Sequence, residues 1–151
     1  MRRLLKRMAL AALGILIAMQ FIPVTRTNPP VTREVRWDSP ATRALAERAC
    51  FDCHSNLTVW PWYSHVAPMS LLVTSHVVDG RERLNFSEWD HPNAGFDRVN
   101  RNVTSGDMPI WNYVLLHPLA KLTPAERQQL LTGLEATFRQ DPPIPRPARA
   151  R

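Results

Sequence analysis

The sequence Cys50-Phe51-Asp52-Cys53-His54 carries the clearest chemical signal of this 151-residue chain, and it uses both of the chain's cysteines. On a helix, Cys50, Cys53 and His54 lie at positions i, i+3 and i+4 and therefore share one face. Two thiols followed at once by an imidazole are the attachment pattern of c-type haem, in which the cysteines bind the two vinyl groups and the histidine becomes the proximal iron ligand. The sequence therefore predicts one covalently bound haem c.

Two other interpretations of these residues are weaker. A thioredoxin-type dithiol requires a βαβ setting, which the sequence does not indicate. A zinc site would need further ligands from distant histidines, because the chain has no second cysteine pair. Two cysteines also exclude a disulfide-stapled scaffold and any four-cysteine zinc or iron–sulfur site.

The sequence leaves the sixth iron ligand more open. Met108 is the first candidate, because it lies in a Gly-Asp-Met-Pro turn and methionine is an axial ligand in cytochromes c. The competing residues are four histidines and a second methionine: His65, His76, His91, His117 and Met69. Among these, His76 is the strongest because it interrupts an apolar helical stripe. An open sixth position is the remaining alternative.

An aromatic group is available to cover a porphyrin and to donate hydrogen bonds to its propionates. Its members are Trp60, Trp62, Tyr63, Trp89 and Trp111. Each of them would serve equally well as an ordinary core aromatic. We expect Trp60, Trp62, Tyr63 and Trp111 to contact the cofactor.

Helix signals cover most of the chain and predict an all-α fold, a small cytochrome c-like helical domain. Ser39-Pro40 is typical of a helix start, and Thr123-Pro124-Ala125-Glu126 is a capping box. Gly133 would let the last helix approach the cysteine-bearing helix closely, or is merely tolerated at a cost of about 1 kcal/mol. The expected helices are Pro40 to about Asp52, Pro68 to about Leu84, a weaker one within Asp90–Gly106, Ile110–His117, and Pro124 to about Arg139.

The N-terminal segment predicts a membrane helix. Residues 8–24 hold no charged side chain, and as a helix they would span roughly 25 Å, close to bilayer thickness. Four basic residues among the first seven precede them and predict a cytoplasmic N-terminus. We therefore expect a signal anchor over residues 1–24 that crosses a bacterial cytoplasmic membrane once and leaves the rest of the chain in the periplasm.

Composition predicts the other boundaries. Residues 25–39 show no helical period and are interpreted as a linker, residues 40–140 as the haem-binding domain, and residues 141–151, with four prolines, as a disordered tail. The net charge of +6 lies on the two ends of the chain rather than on one folded face. We therefore expect no nucleic-acid partner.

The run of residues 49–134 resembles the bacterial haem-binding domain family that is defined by its CxxCH sequence. The resemblance rests on four blocks in this order: ACFDCHSN, WPWYSHVAPMS, GRERLNFSEW and MPIWNYVLLHPLAKLTPAE. It implies a mono-haem c-type domain behind an N-terminal membrane segment, with the CxxCH residues as proximal ligand and thioether attachments. Met108 matches the family's Met-Pro, whereas His76 stands where the family's helix is more often acidic.

Together these features predict a membrane-anchored, periplasmic electron carrier rather than an enzyme, since no convincing acid–base pair is found. The expected partners are a redox protein in or near the membrane and the cytochrome c maturation machinery. One alternative is an open-site haem enzyme of peroxidase type or a gas or redox sensor, with His76 or His65 as a polar group beside the iron. Another is a haem-bearing accessory subunit of a larger oxidoreductase.

Overall fold

Helices dominate the structure, a computed structural model that describes residues 1–146. Within that range the helices are α1 (Arg2–Met19), α2 (Pro40–Ala49), α3 (Phe51–His54), α4 (Met69–Arg83), α5 (Phe96–Ser105), α6 (Trp111–Leu116) and α7 (Pro124–Gln140). Two short strands, β1 (Pro92–Asn93) and β2 (Ile144–Pro145), pair in parallel, and 3-10 turns cover Trp62–His65 and Pro118–Ala120. The prediction of a helical domain is confirmed.

The two helix starts that the sequence marks most clearly have the expected caps. The Ser39 side chain accepts a hydrogen bond from the Thr42 N–H at the start of α2. At α7 the Thr123 hydroxyl accepts from the Glu126 N–H, and the Glu126 carboxylate accepts from the Thr123 N–H. Each cap satisfies backbone donors that the first turn of a helix leaves free.

The cysteine-bearing helix is shorter than expected because the chain bends at Cys50. Cys50 leaves helical geometry, with φ −127° and ψ −35°, and α2 ends at Ala49. The Cys50 carbonyl then accepts hydrogen bonds from the N–H groups of Cys53 and His54, at 3.2 and 2.9 Å. This bend starts the single turn of α3, which carries the second cysteine and the histidine.

Helix α7 packs against α2 across the core. Leu130 and Leu134 of α7 are almost fully buried. The core that they join also contains Val35, Ala46, Ala49, Phe51, Leu84, Phe86, Trp89, Ala94, Leu122 and Phe138. A Cβ atom at Gly133 would lie 1.9 Å from Oγ1 of Thr42, so the two helices meet at this glycine. The prediction that Gly133 permits a close approach is confirmed.

Segments outside residues 40–140 also belong to the packed domain. Val35 is 2% exposed, and its N–H donates to the Phe86 carbonyl at 3.1 Å. Asp141 is 3% exposed and pairs with Arg33 at 2.5 Å, while its carbonyl accepts from Trp89 Nε1 at 2.9 Å. The packed domain therefore extends past both expected boundaries, because these residues are buried and form hydrogen bonds with residues of the domain. The rest of the expected tail, residues 147–151, lies outside the described residues.

The predicted transmembrane helix requires correction. Among residues 1–146, no helix combines the length and the apolar character that a membrane crossing needs. Helix α1 begins at Arg2, so its first turns are basic, and it ends at Met19, before Pro23. Its apolar part is about 12 residues, or about 18 Å, against a bilayer core of about 30 Å. The apolar run over residues 8–24 is thus not one helix, and the expectation of a single-pass membrane protein is wrong.

Replacing Gly133 with alanine should destabilise the domain. The added Cβ would overlap the buried Thr42 side chain, and overpacking of this kind costs about 3 kcal/mol, more than the about 1 kcal/mol that alanine gains over glycine in a helix. Urea unfolding of the two proteins measures the difference. Gly14→Ala is the matched control, because no atom lies within 4 Å of that position. A Gly133→Ala protein as stable as the parent would contradict the close α2–α7 contact.

Candidate functional site

The imidazole of His54 is held from one side by α4. Its Nδ1 lies 3.0 Å from the carbonyl oxygen of Gly80 and 3.0 Å from that of Leu84. Because a carbonyl only accepts, Nδ1 carries the proton, and Nε2 keeps its lone pair. Burial lowers the pKa of His54, against the opposite effect of the two backbone hydrogen bonds, so the ring is neutral at pH 7. A neutral imidazole with a fixed tautomer is the form that ligates a metal.

Gly80 allows α4 to come this close to α3. A Cβ atom at this position would lie 2.3 Å from the backbone oxygen of Cys53, which is an impossible contact. Gly80 is buried, and its carbonyl is one of the two acceptors for His54. Gly80 was not among the residues predicted for the site. The available signal was a glycine inside a strongly patterned helix, which often has a packing reason.

A cavity of about 500 Å³, here cavity A, opens beside His54. Both cysteines and Met108 line it together with His54. Its apolar wall is formed by Ala49, Leu84, Phe86, Ala94, Val99, Val103, Pro109, Ile110 and Leu134. The volume falls within the range of about 300–1,000 Å³ that is typical of ligand and cofactor pockets. The structure therefore brings the predicted proximal ligand, both thiols and the first candidate for the sixth ligand to one pocket.

The two cysteines are free thiols, and both are half-buried. Burial raises the pKa of Cys50 to about 12 and that of Cys53 to about 11, with smaller contributions from neighbouring negative charge. A redox-active dithiol needs the opposite shift, because the thiolate is the reactive form. Within residues 1–146, no group of three or more His, Cys, Asp and Glu side chains is arranged to hold a bare metal ion. The dithiol and zinc interpretations therefore gain no support from the site.

Met108 reaches cavity A from the segment between α5 and α6. Helix α5 ends at Gly106, whose φ of +83° lies in the left-handed region that glycine adopts without strain. The Met108 N–H then donates to the Asn102 carbonyl at 3.0 Å, which turns the chain back toward the helix. Met108 is half-buried and lines cavity A.

The competing iron ligands are placed differently from one another. His76 lies on α4 and lines cavity A, whereas His65 and His91 are exposed and line no cavity described here. His117 shares a 2.6 Å hydrogen bond with the hydroxyl of Tyr63. Met69 and His117 belong to a second cavity rather than to cavity A.

This second cavity, cavity B, has a volume of about 370 Å³ and also borders Cys53. Its residues are Asp52, Cys53, Thr58, Val59, Pro61, Tyr63, Met69, Leu72, Val73, His76, Val77, Ile110, Trp111, Asn112, Tyr113, Leu115, Leu116 and His117. Tyr63 and Trp111, both expected to contact the cofactor, line cavity B and not cavity A.

The other expected pocket aromatics lie in neither cavity. The Trp60 Nε1 donates to the Asn28 side chain at 3.1 Å, and the Trp62 ring is 79% exposed. Trp89 is fully buried in the core, as the alternative interpretation held. Two aromatic residues that were not predicted as pocket residues, Phe86 and Tyr113, line cavity A.

Tyr113 anchors the residue that separates the two cysteines. Its hydroxyl donates to Asp52 Oδ2 at 2.7 Å, and the Val59 N–H donates to Asp52 Oδ1 at 2.9 Å. The Thr58 hydroxyl donates to the Asp52 carbonyl at 2.7 Å. Charged acceptors form the stronger hydrogen bonds, so this set holds the cysteine-bearing turn firmly in place.

Two arginines from different helices also line cavity A. Arg83 belongs to α4 and Arg98 to α5, and both are exposed. Neither side chain forms a hydrogen bond or an ion pair with another residue in the described range 1–146. Cavity A therefore has an apolar interior and two free cations at its solvent side.

The pattern of the haem-binding domain family matches residues 14–136, most of the chain. The chain therefore belongs to the haem-binding domain family, and haem is its cofactor. No curated protein and no solved structure matches the chain. Cavity A fits this cofactor, because it combines a neutral imidazole with a free Nε2, two thiols, an apolar wall and two arginines that can face carboxylates.

Substituting Gly80 should damage both the fold and the cofactor site. In Gly80→Ala the new Cβ meets the Cys53 backbone, which cannot move as a flexible side chain would, so we expect a loss of about 3 kcal/mol or more. The displaced α4 would also withdraw its carbonyl from His54 and reduce the bound haem per chain. Urea unfolding and haem content measure the two effects. Ser75→Ala, an exposed position on the same helix, is the control; equal values for both variants would contradict the role of Gly80.

Proposed function

We propose that this haem-binding protein carries its haem covalently and acts as a single-electron carrier. The observation that supports this function best is the arrangement of His54 with Cys50 and Cys53 around cavity A. The Nδ1 atom of His54 is committed to α4, so the Nε2 atom is the one available to an iron. When bound, haem supplies a one-electron couple, and the chain's own residues fix its position and surroundings.

Both cysteines are suitable for thioether attachment. Each S–H would add across one vinyl group, with the sulfur bonding one carbon and the hydrogen going to the other, so the step needs no oxidant. Both thiols line cavity A within one turn of His54, and neither is in a disulfide. One haem would use both thiols and the imidazole at the same time.

Met108 is the proposed sixth ligand. Because Nδ1 of His54 faces α4, Nε2 would hold the iron, and a residue that lines cavity A from an element other than α4 would suit the sixth position best. Met108 follows α5 and meets this condition, whereas His76 is part of α4 itself. Histidine–methionine ligation gives a higher reduction potential than ligation by two histidines.

The two arginines are the proposed partners of the haem propionates. Arg83 and Arg98 stand on different helices beside cavity A, which suits two carboxylates on one edge of a porphyrin. Arginine offers several donors in a planar fork and remains charged at every physiological pH. The carrier would exchange its electron with a protein partner.

Covalent attachment predicts a specific mass pattern. The chain produced together with the cytochrome c maturation machinery should retain one haem by mass after denaturation. Cys50→Ser and Cys53→Ser should each lose one of the two thioether bonds, and the double variant should release its haem completely on acid extraction. An unmodified mass for the parent chain would reject covalent attachment.

Replacing Met108 should open the iron. The parent protein is expected to be low-spin in both oxidation states, to show the long-wavelength charge-transfer band of methionine ligation, and to be inert to carbon monoxide. Met108→Ala should lose that band and bind carbon monoxide in the ferrous state. Met69→Ala is the matched control, because Met69 lines cavity B only. A high-spin parent that binds carbon monoxide would instead favour an open-site enzyme or gas sensor.

A further inference from the structure

Cavity B differs from the cofactor site in its lining, although both cavities include Cys53. It lacks three of the residues that define the cofactor site, namely Cys50, His54 and Met108. Half of its lining residues have aliphatic or thioether side chains, among them Leu72, Val73 and Leu116. A space of about 370 Å³ lined in this way suits a small apolar ligand.

One end of cavity B is polar. There the Tyr63 hydroxyl and the Nε2 atom of His117 share a 2.6 Å hydrogen bond. The His117 ring stacks on Tyr113 at 4.3 Å between centroids, which fixes its plane. Among the described residues, Nδ1 of His117 has no hydrogen-bond partner, so one ring nitrogen remains for a ligand. A carbonyl or hydroxyl oxygen on a ring is the group that such a nitrogen recognises.

The charges around cavity B favour an uncharged ligand. No lysine or arginine lines it, so nothing there attracts an anion. Its carboxylate, that of Asp52, is already engaged by the Tyr113 hydroxyl and the Val59 N–H. A neutral ring with oxygen substituents matches this lining better than an acid or an amine does.

Cavity B also shares a wall with cavity A. The common residues are Asp52, Cys53, His76, Ile110 and Tyr113. Cys53, which would hold the haem, lines both cavities, so a ring bound in cavity B would lie beside an attachment residue. A ligand in cavity B is therefore in position to exchange electrons with the haem.

We infer that cavity B binds a small hydroquinone, which reduces the haem. This inference rests on the proposed function, because it assigns the electron donor of the same carrier. The hydroquinone loses two electrons and two protons to become the quinone, and each protein molecule takes up one electron as ferric iron becomes ferrous. Two protein molecules are therefore reduced for each hydroquinone, and the two protons leave to water at the open side of cavity B.

Menadione and its reduced form, menadiol, provide the test on the haem-loaded protein. Calorimetry should show menadione binding at one site, and menadiol should reduce the ferric protein with two haems per menadiol. Leu72→Trp fills cavity B and should weaken menadione binding and slow reduction by menadiol at least about tenfold. Reduction by dithionite, an anion that does not need cavity B, should be unchanged.

Val78→Trp is the matched control, because Val78 is exposed on the same helix but lines neither cavity. It should bind and react as the parent does. The double variant Tyr63→Phe/His117→Phe keeps an aromatic side chain at both positions and removes the polar pair. It should bind menadione about tenfold more weakly but should bind 2-methylnaphthalene, which lacks the oxygens, as the parent does.

The outcomes separate the two proposals. A loaded parent that does not bind menadione, a Leu72→Trp protein that binds it normally, or bound menadiol that transfers no electron would each overturn the cavity B assignment alone. A preparation without covalent haem would overturn the proposed function and, with it, the electron transfer from menadiol. Calorimetry with menadione would still show whether cavity B binds this ligand.

Discussion

The contact between the His54 imidazole and the backbone of α4 is the constraint on which the rest of the site depends. Two carbonyls, those of Gly80 and Leu84, surround Nδ1 at 3.0 Å. The contact needs a glycine, because any larger residue at position 80 would collide with the Cys53 backbone. It thereby fixes the tautomer of His54 and leaves Nε2 as the ring nitrogen that would hold an iron.

The segment after α4 connects the turn that carries His54 to the rest of the domain through hydrogen bonds. The Phe86 N–H donates to the His54 carbonyl at 2.8 Å, and Asn85 donates through its side chain to Asn56 at 2.8 Å. These asparagines are 3% and 1% exposed, and their hydrogen bonds satisfy polar groups that would otherwise be costly to bury. The same segment pairs with residues before α2 and lies against Asp141, so segments that seem peripheral in the sequence complete the haem domain.

Local signals were sufficient for some features and not for others. The CxxCH run, the cap at Ser39 and the capping box at Thr123 depend on neighbours in the chain, and the structure has the helices that those caps start. Tyr113 and Asp52 are 61 positions apart, so no local pattern joins them. The membrane prediction was wrong because it rested on the number of consecutive apolar residues and not on where the helix begins and ends. Helix α1 ends before Pro23. Proline lacks an N–H donor and disfavours helical geometry in the residue before it.

Asp52 illustrates how a charged residue can stand between the two cysteines of the CxxCH sequence. A carboxylate beside an apolar cavity is unfavourable unless hydrogen bonds replace its water, and Asp52 receives them from Tyr113 and Val59. Burial, together with the neighbouring Asp52, raises the pKa of Tyr113, so its hydroxyl remains protonated and continues to donate. Asp52 is thereby held at both oxygens of its carboxylate, in the wall that cavities A and B share with Cys53. The charge of Asp52 is thus what lets Tyr113 and Val59 hold this part of the wall in place.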